Sequence, residues 1–172
     1  MNELFVAWVQ NPTPETFGAL RAYIVAQSSY DGYSRDLDDM DDAFQQKRYE
    51  DVRRTFGSTM PNLLLSPAAH MLVSMSLRED GHSEAAEMER FICFRCMEAL
   101  QASGDGTKEQ PYLVLRTTDE YDLMGALGKE LASQHLVHDG PRHYDRMVCT
   151  DGSELWFDIT EMMDAMARRL QG

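Results

Sequence analysis

The chain has 172 residues, with 16 Lys and Arg against 29 Asp and Glu, for a formal charge of −13; 43% of residues are hydrophobic. The size suits one domain, and the balance of apolar and charged residues suits a folded globular protein and not a disordered tail. The acidity argues against gripping nucleic-acid phosphates, and no apolar run reaches the ~20 residues that span a bilayer.

The first segment, MNELFVAWVQNP, carries no basic residue, and its apolar stretch is too short for a signal peptide. It predicts a short helix over 3–9, ended by Asn11-Pro12. Thr13 is the expected N-cap of the next helix with Pro14 at its first position, and Phe17, Leu20, Tyr23 and Ile24 form its apolar stripe. Residues 28–36, SSYDGYSRD, read as loop. Helices are then expected over about 37–47 and 49–57.

At the start of this region, Asp36, Asp38, Asp39, Asp41 and Asp42 place five carboxylates in seven residues. The run does not match a calcium loop, because Met40 stands at a ligand position and no Gly follows. Three readings remain: a solvated helix N-terminus favoured by the macrodipole, a docking surface for a basic protein, and a metal site.

Ser66-Pro67 starts a helix that Asp80-Gly81 stops, and a long helix follows over about 83–102. Its inner side is expected to carry Ala85, Met88, Phe91, Ile92, Met97 and Leu100. Cys93 and Cys96 in this helix have CxxC spacing, but the sequence supplies no second ligand pair, so buried thiols are expected. Three cysteines in all, with Cys149, fit a reducing cytoplasm. Residues 47–52 align with residues 81–86 at a spacing of 34, a period typical of tetratricopeptide-like helical hairpins.

The last third predicts a strand over 112–116 and a helix from Thr118 to about Ala132, opened by acidic residues. Three strands follow, over about 134–138, 143–149 and 153–158, with Asp139-Gly140 and Asp151-Gly152 as turn signals. A final helix runs from Glu161 to Leu170, with Met162, Met163, Met166 and Leu170 on one face. The expected fold is α+β: tetratricopeptide-like hairpins packed on a small β-α-β-β-β-α unit with an antiparallel sheet. It is expected as a single domain, 1–172, in which 1–102 and 103–172 share one core.

Several short patterns recur together: Ser103-Gly104-Asp105-Gly106-Thr107, Pro111-Tyr112-Leu113-Val114, Asp119-Glu120-Tyr121, Tyr144-Asp145-Arg146-Met147 and Trp156-Phe157-Asp158-Ile159. With Phe17, Leu20-Arg21, Tyr23, Tyr30, Tyr33 and Ala69-His70, they resemble an uncharacterised bacterial domain-of-unknown-function family over most of the chain. The chain differs from that pattern at Gly32, where a proline is common, and at Trp156, where a tyrosine is usual. The resemblance implies a fold and carries no activity.

No GxxxxGK[ST], GxGxxG, GxSxG or HExxH occurs. An enzyme reading therefore rests on carboxylates: Asp145 and Asp158 side by side on neighbouring strands, with Asp105 and Glu120 approaching, could bind Mg²⁺ or act as an acid/base pair. Each also has a structural reading, Asp105 in a turn and Glu120 at a helix start. His135, His138 and His143 cluster in sequence, but 135 and 138 point to opposite faces of a strand. His70 is expected to be packed or hydrogen-bonded, and His82 to be an exposed turn residue.

The leading functional expectation is a non-enzymatic, cytoplasmic binding module, in one version an immunity protein (antitoxin) that inhibits a basic toxin through Asp36–Asp42. No cofactor is expected, and neither nucleic acid nor membrane as partner. The alternatives are a metal-assisted hydrolase using Asp105, Glu120, Asp145 and Asp158, and an accessory subunit docking through its methionine-rich faces.

Overall fold

The computed structural model describes residues 3 to 171. Its helices are α1 (Glu3–Gln10), α2 (Pro14–Val25), α3 (Asp36–Gln45), α4 (Tyr49–Ser58), α5 (Pro67–Glu79), α6 (Ser83–Ala102), α7 (Thr117–Ala126) and α8 (Thr160–Gln171). The strands are β1 (Tyr112–Leu113), β2 (Leu131–Asp139), β3 (Arg142–Cys149) and β4 (Glu154–Asp158). Among the described residues, no helix is long and apolar enough to cross a membrane.

Local chemistry explains the helix starts. The Thr13 hydroxyl accepts the Thr16 N–H while the Thr16 hydroxyl accepts the Thr13 N–H, a reciprocal cap ahead of Pro14. Ser66 accepts the Ala69 N–H ahead of Pro67, a cap made in one direction only. α7 ends at Ala126, short of the expected Ala132, because Gly128 turns the chain at φ +65° and frees residues from 131 onward for β2.

The sheet has strand order β1-β4-β3-β2. β2, β3 and β4 are antiparallel neighbours, but β1 runs parallel to β4, pairing Tyr112 with Phe157. The sheet is therefore mixed, which corrects the antiparallel expectation. β1 is also shorter than expected: the N–H groups of Leu115 and Arg116 donate to the Asp119 carboxylate instead of a strand.

The larger apolar cluster joins Phe5 and Trp8 of α1, Leu20 and Ile24 of α2, Cys96 and Leu100 of α6, Phe157 of β4 and Met162 of α8. A smaller one gathers Met40, Ala43, Val52, Leu63, Ala69 and Val73 under α3, α4 and α5. On α6 the buried stripe is Ala86, Ile92, Cys93, Cys96 and Leu100. Met88 (58% exposed) and Phe91 (44%) lie outside it, and Ala85 is exposed, contrary to expectation. Small residues allow α5 to pack closely, and the aromatics turn outward, where Arg95 stacks on Phe91 and Arg90 on Phe94. On α8, Met162 and Ala165 are buried while Met166 and Leu170 are exposed.

Candidate functional site

α3 is amphipathic, and its two faces are sharply different. Met40 and Ala43 face the smaller cluster, while Asp38, Asp39, Asp41 and Asp42 are exposed and Asp36 is half-buried. Asp38 meets the exposed Arg35 at 3.3 Å. Among the described residues, Asp36, Asp39 and Asp42 form no ion pair. Carboxylates at a helix N-terminus favour the helix dipole, so the run helps to form α3 while projecting negative charge.

Two of these residues line a groove. Asp38 and Asp41 share an open groove of about 530 Å³ with Met71, Leu72, Met97 and Asp122. Asp122, on α7, is a functional candidate that the sequence did not single out. The Ala68 N–H, in the first turn of α5, donates to its carboxyl, yet Oδ2 is buried without a partner. Burial first, and the nearby Asp119 second, raise its pKa to about 6, against the Ala68 N–H and Arg116. The groove thus combines an apolar floor with carboxylates, one of them without a full complement of partners.

The four carboxylates of the enzyme reading do not assemble. Asp105 is an exposed turn residue, accepting the N–H and the hydroxyl of Thr107, which lower its pKa. Asp158 and Asp145 point to opposite faces of the sheet, since Asp145 stands opposite Phe157 and Asp158 opposite Tyr144. Asp158 is held by Arg142 and by the Thr160 N–H, each at 3.0 Å.

Glu120 and Asp145 do meet. Glu120 is fully buried, and neither carboxyl oxygen receives an N–H or hydroxyl donor. It faces Asp145, which accepts an N–H of Gln134 at 2.9 Å. Burial, then the charge of Asp145, pushes the Glu120 pKa up to about 9. A neutral Glu120 therefore donates its proton to the Asp145 carboxylate, and burial raises the Asp145 pKa as well. The exposed Tyr33 lies near both, and its pKa is raised by burial, then by Asp145 and Glu120.

His138 and His143 stand directly opposite across the β2–β3 hairpin, with Nδ1 atoms 2.7 Å apart. His135 bonds Ser133 instead. His70 is buried between Leu64 O at 3.0 Å and Glu89 at 2.6 Å, and His82 is exposed. The three cysteines are free and buried; burial pushes the Cys93 thiol up to about 11 and the Cys96 thiol well up, the reverse of a reactive thiolate. Among the described residues, no group of three or more His, Cys, Asp or Glu is placed to share a metal ion.

Compared with protein-family models, with curated proteins and with solved structures, the chain matches none.

Proposed function

We propose that the chain is a non-enzymatic binding module for a basic protein, of the kind that neutralises a cationic toxin by occupying its anion-binding surface. The observation that carries this reading is the groove in which Asp38 and Asp41 share an apolar floor with Asp122. A lysine or arginine side chain packs its methylene stem on Met71, Leu72 and Met97 and brings its charge to the carboxylates. Asp122 Oδ2, buried without a partner, gains one. The net charge of −13 adds long-range attraction and speeds encounter with a cationic partner.

The successive pairs α3/α4 and α5/α6 support a tetratricopeptide-like reading of the helical part, an architecture that presents grooves to peptides. The three buried, unpaired thiols fit a reducing cytoplasm. The test is co-purification of the tagged chain from its host at low and high salt, beside an Asp38→Asn/Asp41→Asn/Asp122→Asn variant. A stoichiometric basic partner, weakened by salt and lost from the variant, is expected. Retention of that partner by the variant, or an empty capture at low salt, overturns the reading.

A second reading rests on Glu120. A protonated carboxyl next to an ionised one is the arrangement of a general acid with its conjugate partner. Tyr33, Tyr121 and Gln134 beside it are exposed, and Tyr121 donates to Gln134 at 3.1 Å. Hydrolytic activity lost in Glu120→Gln would favour this reading over the first.

A further inference from the structure

At the tip of the β2–β3 hairpin, His138 and His143 are direct cross-strand partners. The His143 N–H donates to the Thr160 hydroxyl at 3.0 Å, and its carbonyl accepts the Ile159 N–H at 3.0 Å. Both backbone groups of His143 therefore point away from β2, and the two histidines form a non-hydrogen-bonded pair. This is the position in an antiparallel ladder where side chains approach most closely, with Cα atoms about 4.5 Å apart. The rings stand at 85° to one another with centroids 4.8 Å apart, and the two Nδ1 atoms are separated by 2.7 Å. His138 is exposed and His143 half-buried, so the pair is open to solvent.

Two imidazole nitrogens that face one another become a chelate once the rings turn slightly apart. A transition metal holds an imidazole nitrogen at about 2.0–2.1 Å, so two nitrogens at a right angle on one ion stand about 2.9 Å apart. The observed separation falls just short of that distance, and a small rotation of the rings supplies the rest. Without metal, one Nδ1–H donates to the other Nδ1. With metal, the donor ring carries its proton on Nε2 instead, an atom that has no partner among the described residues and can bond water. Both imidazoles stay neutral throughout.

The surroundings leave the pair free for this role. Strand alternation puts Asp139 and Arg142 on the opposite face, where Lys108 pairs with Asp139 and Arg142 with Asp158. Asp145 shares the pair's face two residues along β3, but it accepts from Gln134 and faces Glu120. The chain thus supplies two ligands and leaves the other positions to water, an open site. Imidazole suits Cu²⁺, Ni²⁺ and Zn²⁺, whereas Mg²⁺ and Ca²⁺ take oxygen ligands. Adjacent nitrogens with water oxygens fit the tetragonal geometry of Cu²⁺. We infer that His138 and His143 form a binding site for a divalent transition metal, with Cu²⁺ held more tightly than Ni²⁺ or Zn²⁺. The site shares no residue with the acidic groove.

The whole chain, free of any histidine tag, is titrated with Cu²⁺ and separately with Zn²⁺ by calorimetry, and electron paramagnetic resonance is recorded at one equivalent of Cu²⁺. One-to-one binding, tighter for Cu²⁺, and a spectrum with two nitrogen ligands are expected. His138→Gln and His143→Gln remove a ring that no backbone bond of the hairpin uses, so both variants fold. Each is expected to weaken Cu²⁺ binding roughly tenfold or more. His135→Gln, on the opposite face of β2, is expected to bind as the parent does. Absence of one-to-one binding, a spectrum without two nitrogen ligands, or undiminished affinity in either variant of the pair overturns the inference. So does a loss in His135→Gln equal to that in the pair, which marks indiscriminate binding to surface histidines.

Discussion

The carboxyl of Glu120, at the start of α7, rests against the carboxyl of Asp145 on β3, where no N–H or hydroxyl reaches it. Two ionised carboxylates cannot share so dry a place, so one keeps its proton. This makes the fold sensitive to alkali. Glu120 has an ordinary pKa of 4.5 when exposed and about 9 in the folded chain. Above pH 4.5 the unfolded chain releases a proton that the folded chain retains, so stability falls as pH rises toward 9. For a single proton the slope is at most about 1.4 kcal/mol per pH unit. Glu120→Gln keeps the shape and removes the titration. Its stability relative to the parent is expected to increase between pH 5 and pH 8, read from urea midpoints at each pH. A difference that does not change with pH would show that Glu120 is ionised in the fold.

Asp119 next to it has the opposite environment. Its carboxylate accepts the N–H groups of Leu115 and Arg116 and the Arg116 guanidinium, and both side chains are almost fully buried. Arg116 also donates to the carbonyl of Asn62, tying the middle of the α4–α5 loop to the start of α7. Asp119→Ala leaves a buried guanidinium without its counter-charge, and a loss of roughly 3–5 kcal/mol is expected. Arg35→Ala breaks only the exposed pair with Asp38 and should cost under ~1 kcal/mol. Thermal melts of the two variants check the contrast.

Local signals in the sequence were the most legible. Thr13-Pro14 and Ser66-Pro67 start helices because caps involve neighbours three residues away. The Glu120–Asp145 pairing was foreseeable in part, as a helix start approaching a strand. Its expected companion Asp158 was lost to register: pairing Asp145 with Phe157 sends Asp158 to the other face. The parallel β1–β4 pairing depends on a partner more than forty residues away, and nothing in Tyr112-Leu113 encodes it. On α6, hydrophobicity favoured Met88 and Phe91 for the core, whereas packing against α5 required the small Ala86, Cys93 and Cys96. Asp122 was not legible as a candidate at all. What marks it is one buried carboxyl oxygen without a partner, a property only the folded chain has.

The motif Ser103-Gly104-Asp105-Gly106 has a steric explanation. A Cβ on Gly104 would stand 2.4 Å from the carbonyl oxygen of Pro111 and 2.6 Å from that of Gln110, both backbone atoms. Gly106 adopts φ +79° with the Tyr112 ring 2.8 Å from where its Cβ would be. Gly104→Ala is therefore expected to destabilise, since the loop must move away from β1. Gly57→Ala in α4 meets nothing within 4 Å and should stabilise by roughly 0.5–1 kcal/mol. Comparing the two by chemical unfolding tests whether close approach of the backbone, and not glycine content, governs this turn.

Asp122 gives the binding proposal its most specific test. A field effect alone would weight all the α3 carboxylates alike, and Asp39→Asn/Asp42→Asn, outside the groove, would weaken the partner as much as Asp38→Asn/Asp41→Asn. Groove docking predicts a larger loss for the second pair. It also predicts a pH dependence centred on Asp122. With its pKa raised to about 6, Asp122 is largely neutral at pH 5 and ionised at pH 7.5. A lysine or arginine placed beside it favours the ionised form, so binding releases a proton below that pKa. Affinity should rise as pH increases through about 6 and then level off. Asp122→Asn should remove the rise while leaving the salt dependence set by the other carboxylates. Titration of a basic peptide at fixed ionic strength, at pH 5 and pH 7.5, measures it. An affinity that is flat over that interval in the parent chain, or a rise that persists in Asp122→Asn, would remove Asp122 from the interface.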